Sequence, residues 1–438
     1  MSEEKEKPQD TSSVTSIVEA TKESSAKEAP EIKQQSFVFP EFPPTQMGPE
    51  GIEFDFCYGV RIKTPKELKK KIHLVITDRD SGNVMFDGPL KPDYWLNCAK
   101  KYLINYHIMF GDEETHKPIL EHDFDLKDQI VLVQMPYKGA VGDSIAWFSY
   151  VDRFQKKYGC ICHVLMPPHI QALFEKQYPD LHFETFESAK ELRPYASFYL
   201  GLFFKGDVDW QPYDFRLCSL TEQAGNILNI EDKSEIPPKM VFGDRVIKEP
   251  YVCIASQASS HAKHWCNPRG WRQVVKWLKE QGYRVICIDK DTEVGAEDVW
   301  HSIPYGCEDF TGDKPLQERA DMLHYASAFI GLSSGLSWLA WCCNVPIVLI
   351  SGICMPYGEF QTPYRVQTRH TCHGCWNDTR YEFDHKDFMW CPVHKGTARA
   401  YECTKAISPE MVINQLKRIP GLVRVEDTNE RNTHLLDK

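Results

Sequence analysis

The spacing of hydrophobic and polar positions changes near residue 126. Between 36 and 125, segments such as "IEFDFCYGVRIK" and "KIHLVITDRDSGNVMFDG" alternate apolar and polar residues, which is typical of half-buried antiparallel strands. The letters "DSGN" in the second segment indicate a turn between two strands. We therefore predict a small N-terminal antiparallel β domain over 36–125.

Beyond 126, short apolar runs alternate with amphipathic segments. The run "QIVLVQMP" predicts a strand buried on both faces, and it leads through "YKGAVGD" into a helix-like stretch and another strand. The same order begins again at "EPYVCIASQAS" and continues to "PIVLIS". The pattern predicts an α/β protein with halves at 126–245 and 246–365. Ligands of such folds bind in the cleft at the carboxyl ends of the strands.

The two ends of the chain differ from the middle in amino-acid composition. Residues 1–35 are rich in Ser, Glu, Lys and Thr, which predicts a disordered tail. The segment 366–405 is polar and rich in cysteine, and 406–438 is predicted to form a helix and a tail. The sequence has no run of about 18 apolar residues and no signal-peptide core, so we expect no membrane insertion and a cytoplasmic location.

Composition and charge narrow the classes of function. The chain has 438 residues, of which 42% are hydrophobic and 26% charged, as in ordinary globular proteins. Its formal net charge of −11 argues against nucleic acid as a partner, because proteins that bind phosphate backbones usually present a basic face. Most of the 16 cysteines stand alone in apolar segments and are predicted to be buried, reduced thiols.

Candidate chemistry begins in the loop "GAVGDSIAW" of the first half. Gly139, Ala140 and Gly142 form a predicted tight turn that would approach a substrate closely, and Asp143 lies where a helix begins. The spacing leaves two interpretations of Asp143 open, a helix N-cap or a general base at the cleft mouth. It is not the spacing of the dinucleotide-binding glycine fingerprint.

Two loops of the second half supply candidate phosphate contacts. Lys263 precedes a helix in "SQASSHAKHWCNPRGW", where an ammonium and backbone N–H groups together favour a diphosphate; a solvated lysine is the alternative. In "GLSSGLSWLAW", Ser333, Ser334 and Gly335 connect a strand to a helix and would present hydroxyls and free N–H groups to a phosphate. Ser337 either joins this contact or caps the helix.

The cysteine-rich segment has the spacing of a metal site. Its four thiols follow the pattern Cx2C, x15, C, x11, C: Cys372, Cys375, Cys391 and Cys403. Such spacing in polar sequence suits tetrahedral coordination by sulfur, and a bound metal would supply much of the segment's stability. A redox pair or unrelated thiols are the alternatives, and a four-sulfur site serves zinc or iron. We interpret His373, His385 and His394 as neighbours of the site.

In their order and separation, "GAVGDSIAW", "AKHW" and "ERADMLHYASAFIGLSSGLSWLAWCCNVPIVLISG" resemble the heptosyltransferase branch of the GT-B glycosyltransferases. With the β domain before and the cysteine segment after, about 50–420 resembles the bacterial autotransporter heptosyltransferases, which glycosylate adhesins. The resemblance implies a GT-B fold of two Rossmann-like halves, the first binding the acceptor and the second the nucleotide sugar. It further implies inverting transfer of heptose from ADP-heptose to serine hydroxyls of an adhesin passenger domain, and assembly into a homo-oligomer, a dodecamer.

The resemblance also implies roles for single residues. Asp143 matches the family's proposed base, Lys263 its diphosphate lysine, and Ser334 with Gly335 its second phosphate contact. It implies one iron per chain at the four cysteines, with zinc as the alternative. The lipopolysaccharide heptosyltransferases usually have Asp-Thr-Gly-Leu-Ser-His in the third loop, whereas this chain has Ser-Ser-Gly-Leu-Ser-Trp. The missing acid and histidine favour a protein acceptor over a lipid.

Two other functions stay open at this level. The chain could be a non-enzymatic protein-binding module on a degenerate glycosyltransferase scaffold, or a glycosyltransferase for a lipid acceptor or another nucleotide sugar. The set of Asp143, Lys263 and Gly335 favours the enzyme. We place the chemistry around Asp143 and Lys263, and we expect the cysteine segment to be a finger that projects away from it.

Overall fold

The computed structural model describes residues 39–115, 117–204 and 207–423. The predicted disordered tail at 1–35 and the predicted tail beyond 423 lie outside the described residues. The strands in chain order are β1 (Gln46–Met47), β2 (Glu53–Cys57), β3 (Arg61–Lys63), β4 (Ile72–Asp78), β5 (Val84–Pro89), β6 (Trp95–Asn97), β7 (Tyr106–Asp112), β8 (Pro118–Asp123), β9 (Ile130–Gln134), β10 (Ile161–Leu165), β11 (His182–Glu184), β12 (Ala196–Tyr199), β13 (Tyr251–Ile254), β14 (Arg284–Cys287), β15 (Glu293–Ala296), β16 (Val299–Ser302), β17 (Glu308–Asp309), β18 (Ala328–Leu332), β19 (Ile347–Ile350) and β20 (Tyr364–Val366). The α-helices are α1 (Val141–Tyr158), α2 (Pro168–Phe174), α3 (Phe186–Lys190), α4 (Leu220–Ile227), α5 (Gly270–Glu280), α6 (Leu316–His324), α7 (Gly335–Cys342), α8 (Glu402–Lys405) and α9 (Pro409–Leu416).

The first half is organised around β9, whose apolar run is almost completely buried. The strands run parallel in the order β11-β10-β9-β12-β2, and β3 and β6 complete the edge as antiparallel neighbours. The predicted strand–loop–helix–strand unit is confirmed as β9, α1 and β10. Helix α1 ends at Gly159, whose positive φ of 62° closes the last turn without a side-chain clash.

The N-terminal region contributes to two sheets, which differs from the single domain predicted over 36–125. Strands β5, β4, β7 and β8 form a four-stranded antiparallel sheet, as the alternation predicts. Strands β1, β2, β3 and β6 instead extend the sheet of the first half, because Phe56 donates its N–H to Tyr195 and Tyr58 donates its N–H to Ser197. An alternating pattern predicts a strand but does not say which sheet the strand joins.

The second half is a parallel sheet of six strands in the order β17-β14-β13-β18-β19-β20. Its strands are buried by helices, and α9 packs on α5 and on the β19–β20 edge. Val252, Val275, Ile330 and Val412 belong to one apolar cluster in this half. Loops that follow the carboxyl ends of β13 and β18 therefore emerge at the same edge of the sheet.

The two halves meet through α1 and α7, which pack against each other. Their apolar side chains belong to one cluster, in which Ile145 and Phe148 of the first half join Trp338 and Leu339 of the second. The contact brings the loop after β9 opposite the loop after β18. Among the helices that the structure describes, none is long and apolar enough to cross a membrane.

Candidate active site

Asp143 lies in the first turn of α1, at the cleft between the halves, and its side chain is half-buried. The helix begins at Val141 with Ala140 as its N-cap, so the interpretation of Asp143 as an N-cap is wrong. Burial raises the pKa of the Asp143 carboxyl to about 6, and the ammonium of Lys263 opposes that shift. A carboxylate with this pKa is mostly ionised at pH 7 and is well matched to accept a proton there.

Three glycines at the cleft are explained by close contacts. A Cβ on Gly139 would lie 2.7 Å from the carbonyl oxygen of Pro136, and one on Gly142 would lie 2.7 Å from Cδ1 of Trp338. A Cβ on Gly335 would lie 2.9 Å from Cβ of Val141. The absence of side chains at Gly142 and Gly335 therefore lets the N-termini of α1 and α7 meet. Any substrate contact from Gly139 or Gly142 is made by the backbone.

The three serines of the second loop have different environments. The hydroxyl of Ser333 donates to Ser351 at 2.9 Å, and that of Ser337 donates to the carbonyl of Leu332 at 2.6 Å. Ser337 lies inside α7 and is not its cap, since the N-cap is Ser334. The Oγ of Ser334 is buried without a hydrogen-bond partner within the described chain. Because an unpaired buried hydroxyl costs about 1–3 kcal/mol, Ser334 is the serine best suited to a ligand oxygen.

Glu359 supports this loop, and the sequence analysis missed it. Its carboxylate accepts a hydrogen bond from the hydroxyl of Ser351 at 2.9 Å and forms an ion pair with Arg365. Only 5% of the surface of Glu359 is exposed. The chain Ser333–Ser351–Glu359 therefore holds the β18–α7 loop in place. No local pattern reveals it, because the serines lie 18 positions apart.

Lys263 ends a short 3-10 turn, His261–Lys263, and lies near enough to Asp143 for its ammonium to lower the pKa of that carboxyl. Its ammonium lies 5.6 Å from the ring centre of Trp376, 5.4 Å from that of Phe383 and 3.5 Å from the hydroxyl of Ser259. Within the described ranges it forms no ion pair with a carboxylate. It is therefore a half-buried cation held by aromatic faces, rather than a solvated lysine, and it can meet an anionic ligand.

The aromatic residues beside Lys263 belong to the cysteine-rich segment, so the prediction that this segment projects away from the chemistry is wrong. Arg216 donates to the carbonyls of Thr379 at 3.2 Å and Tyr381 at 2.8 Å, and the N–H of His261 donates to the carbonyl of Phe388 at 2.9 Å. The segment is thus one wall of the cleft.

The physical reason is a small apolar cluster that packs on the second half. It consists of Ala262, Ile353, Cys354, Phe383, Trp390, Cys391, Ala400 and Tyr401. A projecting finger would leave these side chains in water, which costs the free energy of exposing apolar area.

The four predicted metal ligands lie in one region of this wall. Burial and then the Glu402 carboxylate raise the pKa of Cys372 to about 11, and burial with the thiols of Cys372 and Cys391 raises that of Cys375 to about 12. Burial, followed by the other three thiols among its neighbours, also raises the pKa of Cys403. The metal ligand is the thiolate, so a bound cation would have to offset the cost of ionising these buried thiols.

A different ligand group is also present. Ligand atoms of Cys372, His394 and Glu402 all lie within 4.8 Å of one another. The side chains of His394 and Glu402 are 15% and 18% exposed. His394 therefore lies closer to a ligand position than the sequence analysis expected. The four cysteines are neighbours, but among the described residues no three of their sulfur atoms all lie within 4.8 Å of one another. Their coordination of a metal stays a prediction.

Comparisons with known proteins identify the family. Residues 48–111 match the model for the N-terminal domain of glycosyltransferase TibC, and residues 215–382 match glycosyltransferase family 9 (heptosyltransferase). The chain is 45% identical over 392 residues to the autotransporter heptosyltransferase Aah of Escherichia coli, and the match covers 90% of this chain and 99% of that one. The chain belongs to the autotransporter heptosyltransferase family. The resemblance inferred from the sequence is confirmed, and the protein is a glycosyltransferase.

A solved relative is similar over the same length. The dodecameric iron-containing heptosyltransferase TibC, in complex with ADP-D-β-D-heptose, is 44% identical with a TM-score of 0.83, and the match covers 87% of this chain and 99% of that one. TibC of enterotoxigenic E. coli has also been solved as an iron-containing dodecameric glycosyltransferase. BimC of Burkholderia thailandensis, an inactive autotransporter heptosyltransferase, is 33% identical over 388 residues, 86% of this chain and 88% of that one.

Proposed function

We propose that this autotransporter heptosyltransferase transfers heptose from ADP-heptose to serine hydroxyls of an autotransporter passenger domain, with inversion at the anomeric carbon. The observation that carries the proposal is the electrostatic interaction of Lys263 with Asp143, which lies where the N-termini of α1 and α7 meet. A base and a site for an anion are the two requirements of an inverting transfer from a nucleotide diphosphate sugar. TibC, a similar protein, binds ADP-heptose.

The second half would hold the donor. Lys263 supplies a cation, α7 directs its positive end toward the cleft, and the unpartnered Ser334 hydroxyl offers a hydrogen bond to a phosphate oxygen. Charge gathers on ADP as it leaves, and these groups stabilise that charge where it develops. The lysine and the helix start supply the positive potential, so no divalent ion is required at the diphosphate.

The first half would supply the base. As the acceptor oxygen attacks the anomeric carbon from the face opposite ADP, its proton passes to a carboxylate oxygen of Asp143, and the bond from the anomeric carbon to the diphosphate breaks. ADP leaves with the electron pair of that bond, and Asp143 later loses its proton to water. A pKa of about 6 keeps Asp143 ready to accept at neutral pH.

The metal would be structural. Cys372, Cys375, Cys391 and Cys403 would hold one iron per chain, with zinc as the alternative, and iron is supported by the iron-containing TibC. The ion would stabilise the wall that carries Trp376 and Phe383 and takes no part in the transfer. We further propose a homo-oligomer, with the dodecamer of TibC as the expected number of subunits, in the bacterial cytoplasm.

A second candidate, a non-catalytic binding module, is favoured by the inactive relative BimC. Intact-mass measurement of a passenger domain co-expressed with this protein separates the two. Transfer adds mass in heptose-sized steps, and Asp143→Asn removes them, whereas Asp152→Asn on the same helix keeps them. An acceptor of unchanged mass beside the wild-type protein would support the binding module instead.

A further inference from the structure

A group of three histidines lies beside the donor loop and has no role in the proposed transfer. His261 and His264 flank Lys263 in the turn after β13, and His301 comes from β16 in the hairpin β15–β16. One nitrogen from each ring lies within 4.8 Å of the others. His261 and His264 are buried, and His301 is half-buried.

Hydrogen bonds orient the rings. Nδ1 of His264 lies 3.0 Å from the carbonyl oxygen of Ser260; a carbonyl only accepts, so Nδ1 carries the hydrogen and Nε2 presents its lone pair. That lone pair receives one long contact, from the N–H of Ala258 at 3.3 Å. A ring fixed through Nδ1–H and a backbone carbonyl is the usual orientation of a metal-binding histidine.

The other two rings face each other. Nδ1 of His261 lies 2.8 Å from Nε2 of His301, so a single hydrogen is shared between two nitrogens. Burial, followed by the other histidines, lowers the pKa of His261 to about 4 and that of His264 to about 3. The rings are therefore neutral at pH 7, the protonation state in which imidazole binds metals.

We propose that His261, His264 and His301 form a second metal site, which binds one divalent transition-metal ion such as Zn²⁺. Neutral imidazole nitrogens suit zinc, cobalt, nickel or ferrous iron, whereas magnesium and calcium prefer oxygen. On binding, the hydrogen between His261 and His301 moves to the other nitrogen of the ring that carries it, so that both facing nitrogens present lone pairs to the ion and Nε2 of His264 supplies a third. A fourth position stays open for water or a further donor.

Binding requires a small rearrangement that the hairpin permits. The rings of His264 and His301 stack 3.8 Å apart at 14°, and a ligating ring must turn until the ion lies in its plane. The 2.8 Å separation between His261 and His301 must widen to about 3.3 Å for tetrahedral ligands at the usual zinc–nitrogen distance. Strands β15 and β16 pair only with each other in the described chain, so His301 can shift without breaking a larger sheet.

The site would give the hairpin an anchor. A two-stranded hairpin alone is marginally stable, and an ion shared by His301 and the donor turn would tie it to the second half. Because Lys263 lies between His261 and His264, the ion would also hold the turn that carries the donor lysine. Only this last consequence rests on the proposed function; metal binding itself does not.

Zinc stoichiometry of the full-length protein tests the site. After equilibrium dialysis against micromolar Zn²⁺, elemental analysis should find one ion fewer per chain in His301→Ala than in the wild type. Ser302→Ala, the next position of the same strand, should keep the wild-type number. His301→Asn keeps a polar side chain at this position, so the loss of one zinc ion in both variants would not be a result of misfolding in His301→Ala alone. Equal zinc numbers in the wild type and both His301 variants would overturn the proposal.

Repeating the measurement with Cys375→Ser separates this site from the four thiols. The ion that depends on His301 should remain in Cys375→Ser and be lost in the double variant. An ion that is lost equally with either single substitution would overturn a separate histidine site. Failure of the thiol site alone would appear as an unchanged sum of zinc and iron in Cys375→Ser.

Discussion

The cleft loops and the cysteine-rich segment both consist of polar, irregular chain, yet they are held in different ways. The loops before α1 and α7 each connect a buried parallel strand to a helix, so their ends are set by the hydrogen bonds of two sheets. The segment 366–405 is built from short helical turns around one small apolar cluster. Its shape depends on side-chain contacts and on the proposed metal.

Because of this difference, we expect substitutions in the two regions to affect catalysis and stability in different ways. A substitution of a polar side chain at the cleft, such as Asp143, should change catalysis with little loss of folding, because the sheets and the shared core remain intact. A substitution in the cysteine segment should loosen one wall of the cleft and reach catalysis through Lys263, whose ammonium rests on Trp376 and Phe383. Single substitutions in each region test this separation.

Asp143→Asn should have the largest effect on activity. We expect kcat to fall about 10²–10⁴-fold, the usual contribution of a general base, because an amide accepts no proton from the acceptor. Affinity for ADP-heptose, measured by calorimetry, should stay within a few-fold. Asp152→Asn, on the same helix and paired with Lys156, is the control. A variant that keeps its turnover would reject Asp143 as the base.

Cys375→Ser should have the largest effect on stability. Losing one of four thiolates should release the metal and lower Tm by several degrees, since about 1 kcal/mol corresponds to roughly 2–4 °C in a domain of 150–250 residues. Differential scanning calorimetry and elemental analysis measure both changes. Cys98→Ser, outside the segment, should keep metal and Tm. Full metal content in Cys375→Ser would contradict the four-sulfur site.

The pH dependence of kcat/KM follows the carboxyl of Asp143. Because burial raises its pKa to about 6, activity should fall as pH drops through 6 and reach about a tenth at pH 5. The ammonium of Lys263 lowers the pKa of Asp143, so in Lys263→Met the loss of activity on the acidic side should occur at a higher pH. A limb that stays in place would show that the two groups do not interact.

The same raised pKa predicts that stability changes with pH in the direction opposite to activity. The folded-state pKa of Asp143 is raised above the value of 3.8 that is usual for an aspartate, so its protonated form favours folding below pH 4 and that contribution is lost as pH rises through 6. Asp143→Asn should therefore raise the free energy of unfolding at pH 7 by up to about 3 kcal/mol. Urea denaturation at pH 7 and pH 4 checks this: the gain should shrink at pH 4.

Trp376→Ala should have the smallest of these effects. Removing one aromatic face from the Lys263 ammonium should weaken ADP-heptose binding about 2–5-fold, in line with a partly exposed cation–π contact. Trp376→Phe keeps a face and should restore most of the affinity, which calorimetry can measure. Unchanged affinity in Trp376→Ala would show that the cysteine-rich segment does not affect the donor site through Lys263.

Much of the fold followed from local patterns. Continuous apolar runs predicted β9 and β18, and glycine and serine turns marked the loops before α1 and α7, because burial and backbone freedom leave traces in neighbouring residues. The loop before α1 leads directly into Asp143, and the loop after β13 contains Lys263. The sequence by itself therefore determined the two α/β halves, their connecting loops and the residue types available at the cleft.

Tertiary structure decided which distant residues meet. The addition of β2 to β12, the contact of Gly142 with Trp338 and the placement of Trp376 beside Lys263 each join positions more than 100 residues apart. His301 reaches His261 only because the hairpin folds back on the second half. These contacts depend on packing between elements rather than on the spacing within any one of them, so they left no periodic signal in the chain.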